Sequence, residues 1–153
     1  MNGNDGHGHP RSTAQIGGHP IHPMLVQFPI VCFIGTLVTD FVYAQGANAG
    51  FATASRWLLV VGLVMGALAA FAGLTDFLGD KRIQGGDAVK HMLANVTAVV
   101  LEVVNLVLRL NNDAFIASTG VYISAVVVLI LAYSGWMGGK LVYHHGIGVR
   151  DDM

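Results

Sequence analysis

Hydrophobic positions in this chain come in long unbroken runs. Four such runs stand out: Met24 to Ala44, Trp57 to Leu78, Met92 to Leu108 and Phe115 to Met137. Gln27, Pro29 and Asp40 interrupt the first, and only Thr75 and Asp76 interrupt the second. The third contains Asn95, Thr97, Glu102 and Asn105, and the fourth carries hydroxyls but no charge. A hydrocarbon core about 30 Å thick is crossed by about 20 helical residues. Three runs meet that length, and the third does so when taken from Lys90 to Arg109. The runs lack the period-2 alternation of a transmembrane barrel. The breaks at 45–55, 79–88 and 111–113 are short and polar or glycine-rich, as between antiparallel neighbours. The pattern therefore predicts an all-α, integral membrane, up-down four-helix bundle. Its single domain covers 19–150, with spans at about 24–44, 57–78, 90–109 and 115–137. Residues 1–18, rich in Gly, Asn, His and Ser, are expected to form a flexible tail. No charged n-region with an apolar run and cleavage site follows Met1, so no removable signal peptide is expected.

Composition agrees with a lipid environment and narrows the function. Of 153 residues, 54% are hydrophobic and 11% charged, against about 25% charged in a soluble domain. This excludes a disordered chain and argues against an ordinary soluble enzyme. The net charge of −1 supplies no basic field, so no nucleic-acid partner is expected. The single cysteine, Cys32, excludes an internal disulfide and a Cys-based zinc site, and among its apolar neighbours reads as a packing thiol. Arg11, Lys81, Arg82, Lys90, Lys140 and Arg150 fall on the side of the bundle that holds both termini, side A. Only Arg56 and Arg109 fall on side B. The positive-inside rule then places both termini in the cytoplasm. Trp57, Trp136, Tyr43 and Tyr143 lie near span ends, where interface anchors sit.

The same topology collects the polar residues. His19 and His22 precede the first span, Asp76 and Asp80 close the second, His91 and Asn95 open the third, and His144 and His145 follow the fourth. Every histidine outside the tail pair His7 and His9 thus falls on side A. Along the third span His91, Asn95, Ala98, Glu102, Asn105 and Arg109 recur with bundle-helix spacing. Gly62, Gly66, Ala69, Gly73, Asp76 and Asp80 do so along the second, a stripe that allows close helix packing or room for a flat cofactor. Imidazole is the commonest biological metal ligand. His22, His91 and His145 are therefore candidate cofactor ligands, two of which could hold haem b axially. With His19 and Asp76 they form a candidate set for a transition metal ion. The competing reading is interfacial histidines that cap helix ends. Glu102 lies about 16 Å deeper than His91 at the helical rise, and with Asn105 and Arg109 forms an intramembrane polar group: an ion pair reaching from Arg109, a protonated and hydrogen-bonded carboxyl, or a proton or ion relay. Asp40 is expected to pair with Arg56 or Arg109. Pro29 is expected to loosen the first turns of the first span. No phosphate-binding glycine loop, serine-nucleophile motif or paired nucleophile and base is present, so whether the chain is an enzyme stays open.

The run from His19 to Ile30 (HPIHPMLVQFPI), Asp40, the Ala72 to Asp76 stretch AGLTD, the pair His91 and Asn95, and the closing Gly138 to Val149 segment (GGKLVYHHGIGV) together resemble a bacterial membrane-protein family known as domain of unknown function 2231. The resemblance covers about residues 17–150. It implies a small four-span protein of the bacterial inner membrane, and a loose redox association, since some relatives are fused to or neighbour Rieske-type iron–sulfur domains. Carried over by position, it points to His19, His22, Asp76, His91, Asn95 and His145. Many relatives have His where this chain has Gln27, a poor metal ligand. Three functions follow as expectations. The first is a haem- or metal-binding redox module with a membrane or iron–sulfur partner. The second is a proton or ion relay through Glu102, lined by a homo-oligomer. The third is a structural subunit of a membrane complex.

Overall fold

Four long apolar helices must hide their backbone polar groups by internal hydrogen bonding if they are to cross lipid. The structure, a computed structural model, describes residue 10 and residues 12–46 and 48–148. The chain begins with a short hairpin, β1 (Gln15–Ile16) and β2 (His19–Pro20), paired antiparallel with Ile16 opposite His19. Gly17 and Gly18 form its two-residue turn, with φ of 57° and 82°. A turn with both central residues left-handed matches the strand twist and favours glycine. The helices follow: α1 (Ile21–Leu25), α2 (Gln27–Gly46), α3 (Ala49–Gly79), α4 (Gly86–Arg109) and α5 (Val121–Tyr143). A 3-10 turn at Lys81–Ile83 joins α3 to α4, and a π-helical turn at Ile116–Gly120 leads into α5. Helices α2 and α3, α3 and α4, α4 and α5, and α2 and α5 pack side by side, so the bundle closes on itself. Four segments are long and apolar enough to span a membrane: Ile21–Gly46, Ala49–Gly79, Gly86–Arg109 and Ile116–Tyr143. The all-α membrane bundle expected from the hydrophobic runs is the architecture found.

The span limits differ from the apolar runs for identifiable reasons. The first helix starts at Ile21 but breaks at Val26. Pro29 has no N–H, and its ring clashes with the carbonyl four residues back, so the break falls just ahead of it. Helix α3 begins at Ala49, one residue after Asn48, whose side chain accepts from the Gly50 N–H at 2.8 Å. That cap lies well before Trp57, where the apolar run starts. At 31 residues the helix is about 46 Å long at 1.5 Å per residue, longer than the hydrocarbon it crosses. Helix α5 likewise runs past Met137 to Tyr143. It stops where Gly146 turns left-handed and its N–H closes on the Val142 carbonyl at 3.1 Å.

Inside and outside are reversed relative to a soluble bundle. Val31, Phe71, Leu129 and Trp136 point outward, exposed by two thirds or more, while Thr36, Asp40, Ser55, Glu102, Asn105, Arg109 and Ser124 are completely buried. Lipid makes the first group favourable, and mutual hydrogen bonding makes the second tolerable. A compact apolar cluster of Phe33, Leu59, Ala98 and Val127, one residue from each long helix, fills the bundle between the polar layers. Small residues let it close: a Cβ on Gly62 would lie 2.6 Å from Phe33 Cε1 and 2.9 Å from the Cβ of Cys32.

Of the segment expected to be a flexible tail, Ser12 and Ala14 are bonded to the bundle. Ala14 N–H donates to Asp76 Oδ1 at 2.7 Å and Ser12 Oγ donates to the same oxygen at 2.8 Å, while Ala14 O accepts from Ile21 N at 2.9 Å. His7, His9 and Arg11 lie outside the described residues, as does Arg150. The expected boundary at 18 missed this clasp because its partner, Asp76, lies two spans away in sequence.

The α2–α3 contact provides a direct check. Replacing Gly62 by Leu puts side-chain atoms where Phe33 sits, and should cost at least the roughly 1–3 kcal/mol typical of overpacking. Thermal unfolding in mild detergent should register it as a clear loss of stability, whereas the outward-facing Val64→Leu should leave the transition unchanged.

Candidate functional site

Two polar layers lie at different depths. On side B, Arg109 ends α4 and turns its guanidinium into the bundle. All five of its donors are used. Nη1 and Nη2 grip Asp40 on α2 at 2.8 and 2.9 Å, Nη1 also donates to Ser55 on α3, Nη2 to Asn105 Oδ1, and Nε to the Asn105 carbonyl at 3.3 Å. Asp40 in turn accepts from Ser55 and, at 2.7 Å, from Ser124 on α5. Asn105 donates to Ser124 Oγ at 3.0 Å and to Glu102 Oε2 at 2.8 Å. Every long helix contributes, and every member is fully buried. The π-helical turn before α5 helps. Its Gly120 faces the guanidinium, and a Cβ there would stand 3.0 Å from Nη2.

Asp40 therefore pairs with Arg109, one of the two partners expected for it. Arg56 is taken by Asp113 at 2.6 Å, in a partly exposed pair near the side B surface. The expected reach of Arg109 toward Glu102 is not direct: Asn105 bridges the two, and Glu102 Oε1 has no hydrogen-bond partner. Sequence reading passed over Ser55 and Ser124, since lone serines in apolar helices read as filler. Ser55 does continue the α3 stripe one heptad back from Gly62, which was the available signal.

On side A, the structure brings together two of the candidate ligands. His22 on α1 and His91 on α4 stand with ring centroids 6.0 Å apart and planes at 89°. Each ring is pinned through Nδ1 to a backbone carbonyl of another helix. His22 bonds to Ala69 O on α3 at 2.8 Å, and His91 to Ser134 O on α5 at 2.9 Å. A backbone carbonyl can only accept, so both rings carry their proton on Nδ1 and present a lone pair at Nε2. Glycines clear the space for both. A Cβ on Gly73 would lie 2.9 Å from His22 Nδ1, and one on Gly138 would lie 3.2 Å from His91 Cε1. Asn95 Nδ2 lies 3.1 Å from His91 Nε2 and donates to His91 O at 2.9 Å.

The other candidates lie elsewhere on the same face. Asp76 is consumed by the hairpin clasp. His19 is exposed on β2. His145 sits 3.3 Å from Asp87 Oδ2, in an exposed cluster that Lys140 and Lys90 also approach. A half-open cavity of about 250 Å³, lined by Arg82, Asp87, Leu141 and His145 among others, lies beside that cluster. The five-residue set of His19, His22, Asp76, His91 and His145 is thus dispersed. Among the described residues no three His, Cys, Asp or Glu side chains meet at a common point. Asp80, just beyond α3, accepts hydrogen bonds from the Arg82 side chain and backbone, and these hold its carboxyl below the usual carboxylate range.

The two kinds of ion pair should respond differently to truncation. Arg109→Gln leaves Asp40 buried without its cation, and breaking such a pair costs about 3–5 kcal/mol. The double variant Asp40→Asn with Arg109→Gln should recover a measurable part of that loss. Arg56→Gln, in the partly exposed pair, should cost under about 1 kcal/mol. Thermal unfolding of the four proteins in one detergent provides the comparison.

A family model described as "Predicted membrane protein (DUF2231)" matches residues 18–151. No curated protein and no solved structure matches the chain.

Proposed function

The chain belongs to the DUF2231 family of predicted membrane proteins, and from that premise we propose that it is a bis-imidazole metal module, in which His22 and His91 hold one transition-metal ion, bare or at the centre of haem b. The observation that supports this reading is the pinning of both rings. Each spends Nδ1 on a backbone carbonyl, which fixes the tautomer and leaves Nε2 available, as outer hydrogen bonds do for metal-ligating histidines. The ring centroids stand 6.0 Å apart, close enough for one ion bonded to both rings at about 2.0–2.1 Å to lie between them. Asn95 would release His91 Nε2 on metal binding and keep its bond to the His91 carbonyl.

The donor count bears on the metal. A structural zinc ion takes four protein ligands and a catalytic one three. A haem iron takes four donors from its own macrocycle and needs two from the protein. Two neighbouring imidazoles therefore match the ligand count of haem, or of a metal ion of low coordination number, better than that of a zinc site. When bound, such a group would supply one-electron chemistry, and the protein would exchange electrons with a membrane or iron–sulfur partner. The chain's own part is to fix the tautomers, hold the rings through α3 and α5, and place the site on side A.

Absorption and metal analysis of protein purified in detergent test the reading together. A Soret band identifies haem, and stoichiometric metal without one identifies a bare ion. His22→Ala or His91→Ala should abolish either signal, while His145→Ala should leave it at the wild-type level. Purified protein with neither signal, and none after incubation with haem or divalent metals, would remove the proposal.

We further propose, from the distribution of cations, that side A with both termini faces the cytoplasm. Lys81, Arg82, Lys90 and Lys140 lie there, against Arg56 and Arg109 on side B. A reporter active only outside the cytoplasm should be silent when fused after Asp152 and active when inserted after Asn111.

A further inference from the structure

The side B network contains one guanidinium and two carboxyl groups, and the geometry divides them unequally. Asp40 takes both ends of Arg109 and two serine hydroxyls besides. Arg109 has no donor left, because its five N–H groups end on Asp40, Ser55 and Asn105. Glu102 receives a single bond, from the neutral amide of Asn105 at 2.8 Å, and its Oε1 is buried with no partner. The neighbouring helices offer it no second cation. Helix α2 brings Asp40, already neutralised, while α3 and α5 bring the hydroxyls of Ser55 and Ser124. One turn away on α4 stands Ala98, in the apolar cluster with Phe33, Leu59 and Val127. Glu102 is seven residues from Arg109 at the side B end of α4, about 10 Å inward along the helix.

A carboxylate in that position would carry an uncompensated charge inside the bilayer. A carboxylic acid would be neutral and short of one hydrogen bond, a far smaller cost. A metal cation would need several oxygen ligands, and no hydroxyl bonds to Oε1. A proton needs one lone pair. We propose that Glu102 is a proton-binding site in the membrane interior, occupied at neutral pH, with the Arg109–Asp40 pair as the fixed neutral floor beside it. This rests on the side B network alone and does not depend on the histidine pair.

Glu102 is the only glutamate in the chain, which allows a test on the unaltered protein. The protein is labelled with ¹³C at the glutamate δ-carboxyl, reconstituted in lipid at neutral pH, and examined by infrared spectroscopy. The labelled group should show the carbonyl stretch of a carboxylic acid, shifting down in D2O, and no labelled carboxylate bands. Glu102→Gln should lose the acid band and keep the wild-type unfolding temperature, since glutamine offers Asn105 the same acceptor without a charge. Labelled carboxylate bands in place of the acid band at neutral pH would overturn the proposal. So would an acid band that sodium or potassium converts to carboxylate, which would assign the site to a metal cation.

Discussion

A guanidinium cannot lie inside a membrane bundle unless something meets each of its donors, and the placement of four helices in this protein answers that requirement for Arg109. The acceptors come from α2, α3 and α4 itself, with α5 supporting Asp40 through Ser124. Removing any one contributor strands a buried polar group, so the helices are fixed in rotation as well as in position. The apolar cluster beside it could tolerate small rotations, because dispersion contacts carry no direction. The ion pair could not, because bidentate geometry is directional. Side B is thus the rigid end of the molecule.

Side A is built differently. Its two inward histidines are tied to main-chain carbonyls, with the Ser134 hydroxyl also beside His91 and two glycines making room, and no opposite charge is involved. One Nε2 lone pair is engaged only by an amide, and the other has no hydrogen bond among those described. The bundle therefore pairs a polar layer whose hydrogen bonds are nearly all satisfied with one that keeps lone pairs in reserve. Glu102 Oε1 is the exception in the satisfied layer, and it lies where the network meets the apolar middle.

The four spans, their order and the inward face of α4 were legible in the chain, because bilayer thickness and helical periodicity act on residues close in sequence. The spacing of His91, Ala98, Glu102, Asn105 and Arg109 is the spacing that turns inward, and Asp40 was rightly set against a side B arginine. What could not be read was azimuth. Residues at the ends of four spans share a depth, but adjacent helix axes stand about 8–10 Å apart, so common depth does not bring side chains together. His145 and Asp76 share the face with His22 and His91, yet point respectively to Asp87 and to the hairpin. Ser134, whose carbonyl and hydroxyl both face His91 Nδ1, escaped notice because a lone serine in an apolar helix reads as filler.

The clasp of Ser12 and Ala14 on Asp76 joins residues 62 to 64 positions apart. During synthesis the hairpin leaves the ribosome long before its anchor does. The strand leading into His22 thus cannot reach its final place until the end of α3 has been inserted beside α1. Assembly of side A is in this way made to wait on a completed helical pair, and a chain that stalls after its first span leaves the Ser12 hydroxyl and the Ala14 N–H without their acceptor.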